Sequence, residues 1–303
     1  MSLKKTNGWF IVGAITCAAI CIMLSCKHGT QNSANEKADY DTATLNEYRS
    51  YLKSLDTLHP ASTTTAAEKY AELFKKTNQS TRDSAFSVFK DFYNKIDQIL
   101  DNNRDVTISY DSLITDSNGH LPSLSQHLMA YAQTLKDNGF KVYQSEGAPY
   151  IGQDLDFEAK WFYAYLSAPL KEFLTQLNKE EKEGFSADGG LIISPEQLAD
   201  RTVWWENFAK KHPQTIVGRP ALENWRSYLG TMLVGMNNSP VTESGHSENL
   251  NPYYQVAYSR IINNYPTTQT AKLVSPYFKL LTDKNTAEAK KLIKDYESKK
   301  LIY

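Results

Sequence analysis

Cysteine is missing from almost all of this chain. Its three cysteines, Cys17, Cys21 and Cys26, lie within the first 26 residues. The remainder therefore excludes a disulfide scaffold, a thiol nucleophile and a cysteine-ligated metal site. Glycine is scarce as well, with 14 residues, and few segments alternate apolar and polar residues. Because an all-β fold needs frequent turns between short alternating strands, the sequence argues against one.

The chain also lacks an excess of positive charge. It has 33 basic and 34 acidic side chains, for a formal charge of −1. Without residues 1–25, which contain Lys4 and Lys5 and no acid, 31 basic and 34 acidic side chains remain, a charge of −3. A nucleic-acid-binding protein usually carries a clustered basic face, so we expect no nucleic-acid partner.

Several sequence motifs of common enzymes are absent. The chain has no His-Glu-x-x-His, no Gly-x-Ser-x-Gly, no Walker phosphate loop and no Gly-x-Gly-x-x-Gly. These absences weaken the metalloprotease, serine hydrolase and nucleotide-binding hypotheses. We assign no catalytic residue, no cofactor and no metal ligand from the sequence.

The first 25 residues have the layout of a secretory signal peptide. Lys4 and Lys5 form a short positive region, the uncharged stretch from 9 to 24 is apolar, and the small Ser25 follows. The apolar stretch is shorter than the ~20 residues that span a bilayer comfortably. A plain membrane-spanning anchor is the alternative interpretation.

The sequence Ile-Met-Leu-Ser-Cys at 22–26 resembles the lipobox of bacterial lipoproteins. The resemblance implies that a diacylglycerol is attached to the thiol of Cys26 and that the chain is cleaved after Ser25. Met23 departs from the leucine that is usual three positions before the cysteine. Cys21 fits less well because Ile20 stands where a small residue is needed. Lys27, rather than Asp, after the cysteine implies that the outer membrane of the cell envelope is favoured.

The composition of residues 26–303 predicts a polar tether followed by two helical lobes. We predict a lipidated cysteine and flexible tether over 26–41, a segment whose only large apolar residue is Tyr40. An N-terminal helical lobe is predicted over 42–139. A C-terminal helical lobe, with a short β-hairpin at its start, is predicted over 140–303.

Apolar residues recur at helical spacing through most of both lobes. They predict about ten helices and a mainly α fold. Two segments break the period: 105–112 alternates apolar and polar residues, and 140–152 contains two short β-like runs. The second segment predicts a small β-hairpin near the middle of the chain. The clearest stripes contain Ala85, Phe89, Phe92, Ile96 and Ile99; Phe162, Leu166, Leu170, Phe173 and Leu177; and Leu222, Trp225, Leu229, Met232 and Met236.

A His/Tyr-Pro-x-Ser/Thr pattern occurs three times, around Pro60, Pro213 and Pro266. Proline ends a helix, and the Ser or Thr two residues later is predicted to cap the next one. The pattern resembles the junctions of tetratricopeptide-type helical hairpins. Because the prolines are 153 and 53 residues apart rather than ~34, we expect irregular stacked helical hairpins. His59 and His212 are predicted to lie at helix C-termini.

Candidate ligand and acid sites are few, and each has an ordinary structural explanation. The segment 186–198 resembles half a calcium loop, but Pro195 stands where the last carboxylate is needed. A turn followed by a helix capped by Ser194 is the preferred interpretation. His120 and His127 could share a helix face, but no third ligand is identified.

Carboxylate pairs and aromatic residues leave two functions open. The pairs Asp154/Asp156 and Glu180/Glu181 could serve a glycosidase, although solvated acids are the commoner case. Of the 19 tyrosines and the neighbouring Trp204 and Trp205, most are expected in the core rather than on a sugar-binding shelf.

We therefore expect a non-enzymatic envelope lipoprotein, held at the membrane by its lipid, whose helical surface binds a protein or glycan partner. The alternative is an envelope enzyme acting on glycan or peptide through an unrecognised carboxylate site. A purely structural spacer is the third hypothesis.

Overall fold

The structure, a computed structural model, describes residues 41–114, 123–145, 147–243 and 249–303. The predicted signal peptide at 1–25, Cys26, the tether except Asp41, and His120 lie outside these residues. No helix within the described ranges is long and apolar enough to cross a membrane.

Helices dominate the described residues, which confirms the mainly α fold with a small hairpin near the middle. The structure has eleven α-helices in these residues, against the ten or so that the periodicity predicts. They are α1 Thr42–Ser54, α2 Ala61–Phe74, α3 Gln79–Asn102, α4 Gln126–Asp137, α5 Leu155–Phe162, α6 Ala168–Glu183, α7 Pro195–Lys211, α8 Gly218–Val234, α9 Pro252–Asn264, α10 Gln269–Thr282 and α11 Thr286–Ser298.

Three antiparallel two-stranded hairpins interrupt the helices in the described part of the chain. The longest confirms the hairpin predicted at 140–152. The segment 105–112, which also alternates, instead forms turns and the 3-10 helix Tyr110–Leu113. The hairpins pair β1 Phe140–Ser145 with β2 Ala148–Gln153, β3 Ser186–Ala187 with β4 Gly190–Leu191, and β5 Gly235–Met236 with β6 Ser239–Pro240.

The core is rich in aromatic rings that the helical stripes supply. The ring of Phe162 lies 4.3 Å from that of Phe89 and 4.8 Å from that of Tyr70, centroid to centroid. Trp205 is fully buried and packs edge-on against Phe173 at 5.2 Å. These contacts confirm the expectation that Trp205 belongs to the core.

Hairpin β1–β2 lies against the helices that precede it. The contact is made by strand β2, which packs against α3. Among the helices, α5 contacts α2, and α7 packs against α8 and α9. Nearly all the buried apolar residues of the described ranges, from Leu45 to Ile302, form one cluster. The division into lobes at residue 140 stays a prediction.

The three proline segments share a turn. In each, the Ser or Thr backbone N–H donates to the carbonyl of the residue before proline: Ser62 to His59 (3.1 Å), Thr215 to His212 (3.2 Å) and Thr268 to Tyr265 (3.1 Å). A proline at the second position of a β-turn favours this geometry.

The capping prediction is confirmed at only one of the three segments. The hydroxyl of Thr268 accepts from the N–H of Ala271 and caps α10. Ser62 lies inside α2, and Thr215 precedes the Val217 cap of α8, so both assignments are wrong. His212 caps the C-terminus of α7 as predicted, but His59 lies beyond the end of α1.

Candidate functional site

Three of the four acids singled out in the sequence, Asp154, Asp156 and Glu181, meet beside hairpin β1–β2. Lys141 Nζ lies 3.4 Å from Glu181 Oε1 and 4.0 Å from Asp154 Oδ1. Lys182 Nζ lies 2.7 Å from Asp156 Oδ1. We call these five residues the hairpin cluster. Strand β1 supplies Lys141 to this cluster. The N-terminal end of α5 supplies Asp154 and Asp156, and the C-terminal part of α6 supplies Glu181 and Lys182.

Tyr143 lines the hairpin cluster on the face of β1 that Lys141 also occupies. Its ring is stacked on Tyr150 at 5.4 Å, and Lys141 Nζ lies 4.6 Å from its centroid. Its hydroxyl contacts Glu181 and lies 2.6 Å from the carbonyl oxygen of Gln153. Burial, followed by the charge of Glu181, raises the pKa of Tyr143, so the hydroxyl stays a hydrogen-bond donor.

Gly152 makes room for the stacked tyrosines. It pairs with Lys141 across the hairpin. A Cβ atom at this position would lie 2.9 Å from two ring carbons of Tyr143 and 3.2 Å from the ring of Tyr150. A larger residue would therefore push the rings apart, which explains the glycine in an otherwise regular strand.

The acids of the hairpin cluster already accept hydrogen bonds or form ion pairs within the protein. Burial acts to raise the pKa of Asp156, but hydrogen bonds from Lys182 and Asn178 outweigh it and leave the pKa below its ordinary value. Asp154 accepts the backbone N–H of Asp156 and so caps α5. A general acid needs a raised pKa and access to substrate. The contacts of these carboxylates instead fasten β1, α5 and α6 together.

Glu180 points away from its neighbour Glu181 and is buried. Its carboxylate accepts from Trp205 Nε1 (3.0 Å), Tyr228 Oη (2.8 Å) and Gln176 Nε2 (2.6 Å). Burial raises its pKa, and the hydrogen bonds partly offset that rise. The proposed pair therefore separates into one surface acid and one acid that links α6 to α7 and α8.

A polar stripe on α3, missed in the sequence, contains the most unusual carboxyl. Lys90, Asn94, Asp97 and Asp101 recur at helical spacing, and Gln153 Nε2 lies 2.8 Å from Asn94 Oδ1 and 3.4 Å from Asp97 Oδ2. Asp97 Oδ1 is buried without a hydrogen-bond partner. Burial is the main cause that raises the pKa of Asp97 to about 6. Polar residues three and four apart, within an apolar helix, were the available signal.

The calcium loop and the histidine pair gain no support. Residues 186–191 form hairpin β3–β4, and Ser194 caps α7 in a capping box with Gln197. This confirms the preferred interpretation. His127 is exposed on α4, while its proposed partner is outside the described residues. In the described ranges no group of three His, Cys, Asp or Glu side chains could hold a metal ion.

An open groove of about 430 Å³ lies along the solvent face of α9, next to the first turn of α7. Val256, which is 43% exposed, is one of two apolar side chains in it. The lining otherwise offers carboxylate, amide, hydroxyl and guanidinium groups. The groove is lined by Glu196, Pro252, Gln255, Val256, Ser259, Arg260, Asn263 and Asn264.

Arg260 is held in place at the side of this groove. Its guanidinium forms two hydrogen bonds with Asp200, of 2.6 and 2.7 Å, and Tyr265 Oη donates to the same carboxylate at 2.8 Å. Burial acts to raise the pKa of Asp200, but these hydrogen bonds outweigh it and lower the pKa. A two-point arginine–carboxylate pair is geometrically fixed, so one side of the groove is preorganised.

Comparisons with protein-family models, with curated proteins and with solved structures give no match to the chain.

Proposed function

We propose that this chain is a lipid-anchored protein of the bacterial cell envelope, with the outer membrane favoured, and that its helical body binds a partner without catalysing a reaction. Cys26 carries the lipid in this proposal. One acyl chain gives marginal membrane binding, but two or more give a stable anchor. The partner is a protein or a glycan, and the α9 groove is the surface that receives it.

The groups that line the α9 groove are the main support for the proposal that the helical body binds a partner. The amides of the groove, which each contain a donor and an acceptor, match the paired donors and acceptors of a peptide backbone. Arg260, held in place by Asp200, adds a fixed guanidinium group, and Val256 adds an apolar contact. No aromatic ring is part of the lining, and sugars are usually bound by stacking on aromatic faces. A protein segment is therefore the favoured partner over a glycan.

The state of the acids supports binding over hydrolysis. Asp156 is ion-paired to Lys182, Glu181 lies beside Lys141 and Tyr143, and Glu180 is enclosed by donors. Each of these carboxylates would have to lose an existing partner before it reached a substrate.

A photo-cross-linker tests the groove directly. Benzoylphenylalanine is placed at Val256 and, as the control, at Val106, which is 98% exposed and outside the groove. After irradiation of the cells that make the protein, we expect a discrete adduct from position 256 only. Adding Asn263→Trp, which fills the groove, should remove it. A periodate-sensitive adduct would identify a glycan. Equal adducts from both positions, or none, would reject the groove.

Asp97 favours the enzymatic alternative. A carboxyl with a pKa near 6 and one unpartnered oxygen has properties of a general acid or base. Asp97 does not line the α9 groove. If the chain is a glycan- or peptide-acting hydrolase of this kind, Asp97→Asn should abolish release of products from peptidoglycan or casein. The same variant should remain folded, with a Tm no lower than that of the wild type.

A further inference from the structure

The charge of the chain is distributed unevenly along the sequence. Residues 272–300 contain eight lysines and four acidic residues, a formal charge of +4. The rest of residues 26–303 contains 23 basic and 30 acidic side chains, a charge of −7. The region of α10 and α11 is therefore positive on a protein that is otherwise negative, and such an asymmetry is typical of chains that bind an anionic surface.

Helix α11 buries one face and exposes lysines on the other. Its buried side chains are Ala289 and Tyr296. Tyr296 Oη donates to the carbonyl oxygen of Leu273 at 3.0 Å, so this face packs against α10. With 3.6 residues per turn, three exposed lysines lie together on the side of α11 that faces away from α10. We call them the lysine stripe: Lys290, Lys291 and Lys294.

The lysine stripe has small neighbours on its own face. Ala287 and Ser298, both exposed, lie about one helical turn before and after it. Short side chains at both ends do not obstruct a flat surface that approaches the lysines.

Most of the charge of the stripe is not neutralised within the protein. Two of the four acids in 272–300 form ion pairs of 2.6 Å with lysines outside the stripe, Lys279–Asp283 and Lys299–Asp295. Within the stripe, Lys291 lies 3.6 Å from Glu288, and both side chains are more than half exposed, so this pair is weak. Among the residues that the structure describes, Lys290 and Lys294 form no ion pair.

The shape and composition of this face favour a membrane surface as its ligand. Sites for small molecules are concave, whereas the stripe lies on the outward side of a helix. Lysine is depleted in interfaces between proteins, while its compact ammonium group suits the phosphates of lipid headgroups. Charge complementarity therefore favours an anionic bilayer over an acidic protein.

The proposed anchor would keep the stripe near such a surface. Cys26 and Asp41, where the described chain begins, are 15 residues apart. A fully extended chain of that length spans at most ~50 Å, so a lipid on Cys26 would hold Asp41 within that distance of the bilayer. Basic residues close to a membrane add to the binding that a lipid chain provides.

We propose that the lysine stripe of α11 binds the anionic phosphate headgroups of the membrane that holds the lipid on Cys26. The proposal rests on the proposed function in taking the chain to be anchored at that membrane. A single anchor leaves the body free to rotate about its tether, whereas a second contact fixes which face is turned toward the bilayer. The α9 groove would then keep one orientation relative to the membrane.

Energy transfer between the helical body and the bilayer tests the stripe. The full-length chain, as purified from the cells that make it, is incorporated into vesicles that contain an acceptor dye on some of the lipid. A donor dye is attached to a clickable amino acid at Ala287, beside the stripe. The vesicles consist of phosphatidylcholine, which has no net charge, or of a mixture with anionic phosphatidylglycerol. We expect more transfer in the anionic vesicles. This difference should disappear as salt rises from ~0.1 to ~1 M, because the Debye length falls from ~10 to ~3 Å.

Two triple variants carry the same loss of charge. The stripe variant has glutamine at all three positions of the lysine stripe. The control variant has glutamine in place of three exposed lysines on α3, α4 and α6, namely Lys95, Lys136 and Lys171. Glutamine is about as good a helix former as lysine, so both variants should keep the Tm of the wild type. The stripe variant should weaken the membrane contact about fivefold for each lysine removed, and the control should leave it nearly unchanged.

Equal transfer in the two kinds of vesicle, or equal losses in the two triple variants, would overturn the proposal. The dye reports contact with the headgroups whatever holds the chain at the bilayer. Palmitate labelling of Cys26 and cross-linking from Val256 do not involve α11. Failure of this inference can therefore be distinguished from failure of the proposed function.

Discussion

The carboxylate of Glu206, in the middle of α7, holds the N-terminal end of α10 through Thr270. It accepts the backbone N–H of Thr270 at 2.7 Å and that of Gln269 at 2.6 Å, and it also accepts the Thr270 hydroxyl. The first N–H groups of a helix have no partner within the helix, and the helix dipole favours an anion there. A buried acid on one helix thus satisfies the first turn of another and fixes how the two pack.

Glu206→Gln should destabilise the protein by about 2 kcal/mol at neutral pH, because hydrogen bonds to a charged group are lost. Burial acts to raise the pKa of Glu206, but bonds from Lys210, Thr270 and Gln269 lower it overall. Its contribution is therefore present above pH ~4.5 and is lost as pH falls through the lower folded pKa. Urea unfolding of both proteins at several pH values measures this.

Lys210→Ala is the control for this prediction. Lys210 is 58% exposed and contacts the same carboxylate, so its loss should cost under ~1 kcal/mol. A stability difference between the wild type and Glu206→Gln that does not shrink toward pH 3 would contradict the assignment of the effect to the charge.

Thr268→Ala should lower the free energy of unfolding by about 1 kcal/mol, because its hydroxyl caps α10. Thr215→Ala should cost clearly less. Both hydroxyls donate to the carbonyl before the proline, but only Thr268 also accepts from a helix N–H. The cap is the hydrogen bond by which the two positions differ, although Thr268 is also the more buried of the two. Equal shifts of the urea midpoint, at an unchanged m-value, would show that the turn bond and not the cap is what matters.

The comparison of these threonines shows what the sequence can predict. Local chemistry fixes the turn: proline after His or Tyr gives the same hydrogen bond in all three segments. Where the next helix begins depends on packing. Helix α8 starts at Gly218, where a Cβ atom would lie 2.4 Å from the carbonyl oxygen of His212, so the chain fits closely there. Hairpin β1–β2, the burial of Trp205 and the Ser194 cap were predictable because each is marked by a pattern of residues close together in the sequence.

The properties of the candidate-site acids depend on contacts between residues that are far apart in the sequence, and no local sequence pattern predicts such contacts. The pKa of Asp97 is raised mainly because the fold buries its carboxyl, and the hydrogen bond from Gln153 on β2 only partly offsets that rise. Glu180 and Glu181 look equivalent in sequence, yet adjacent positions on a helix point in different directions. One reaches Trp205 in the core, and the other reaches Lys141 at the surface.

Asp97→Asn should stabilise the protein at pH 7.5. The folded pKa of Asp97, about 6, is higher than its ordinary value of 3.8. The contribution of the protonated carboxyl to the free energy of unfolding is therefore fully present below pH ~4, and it is lost as the pH rises through about 6. Removing the charge should raise Tm by about 2–4 °C at pH 7.5, the effect of roughly 1 kcal/mol in a chain of this size. Thermal unfolding followed by circular dichroism from pH 4 to 8 measures the difference.

Asp101→Asn serves as the control, four residues along the same helix. Asp101 accepts the backbone N–H of Ile151, so its replacement should bring no gain at pH 7.5. If Asp97→Asn were as stable as the wild type at every pH, the buried oxygen would have a solvent contact and the raised pKa would be wrong.

Cys26→Ser should produce a precursor that is neither lipidated nor cleaved. Serine has the size of cysteine but not the thiol to which the lipid is attached in the proposed anchor, and cleavage after Ser25 follows that attachment in the lipoprotein pathway that the lipobox implies. Cells are grown with labelled palmitate, and the protein is recovered and examined for label and for mobility on a gel. Cys21→Ser, which leaves the Ser25–Cys26 pair intact, should be labelled and shortened like the wild type. Label on the Cys26→Ser protein, or its loss from Cys21→Ser, would place the lipid elsewhere and remove the anchor from the proposed function.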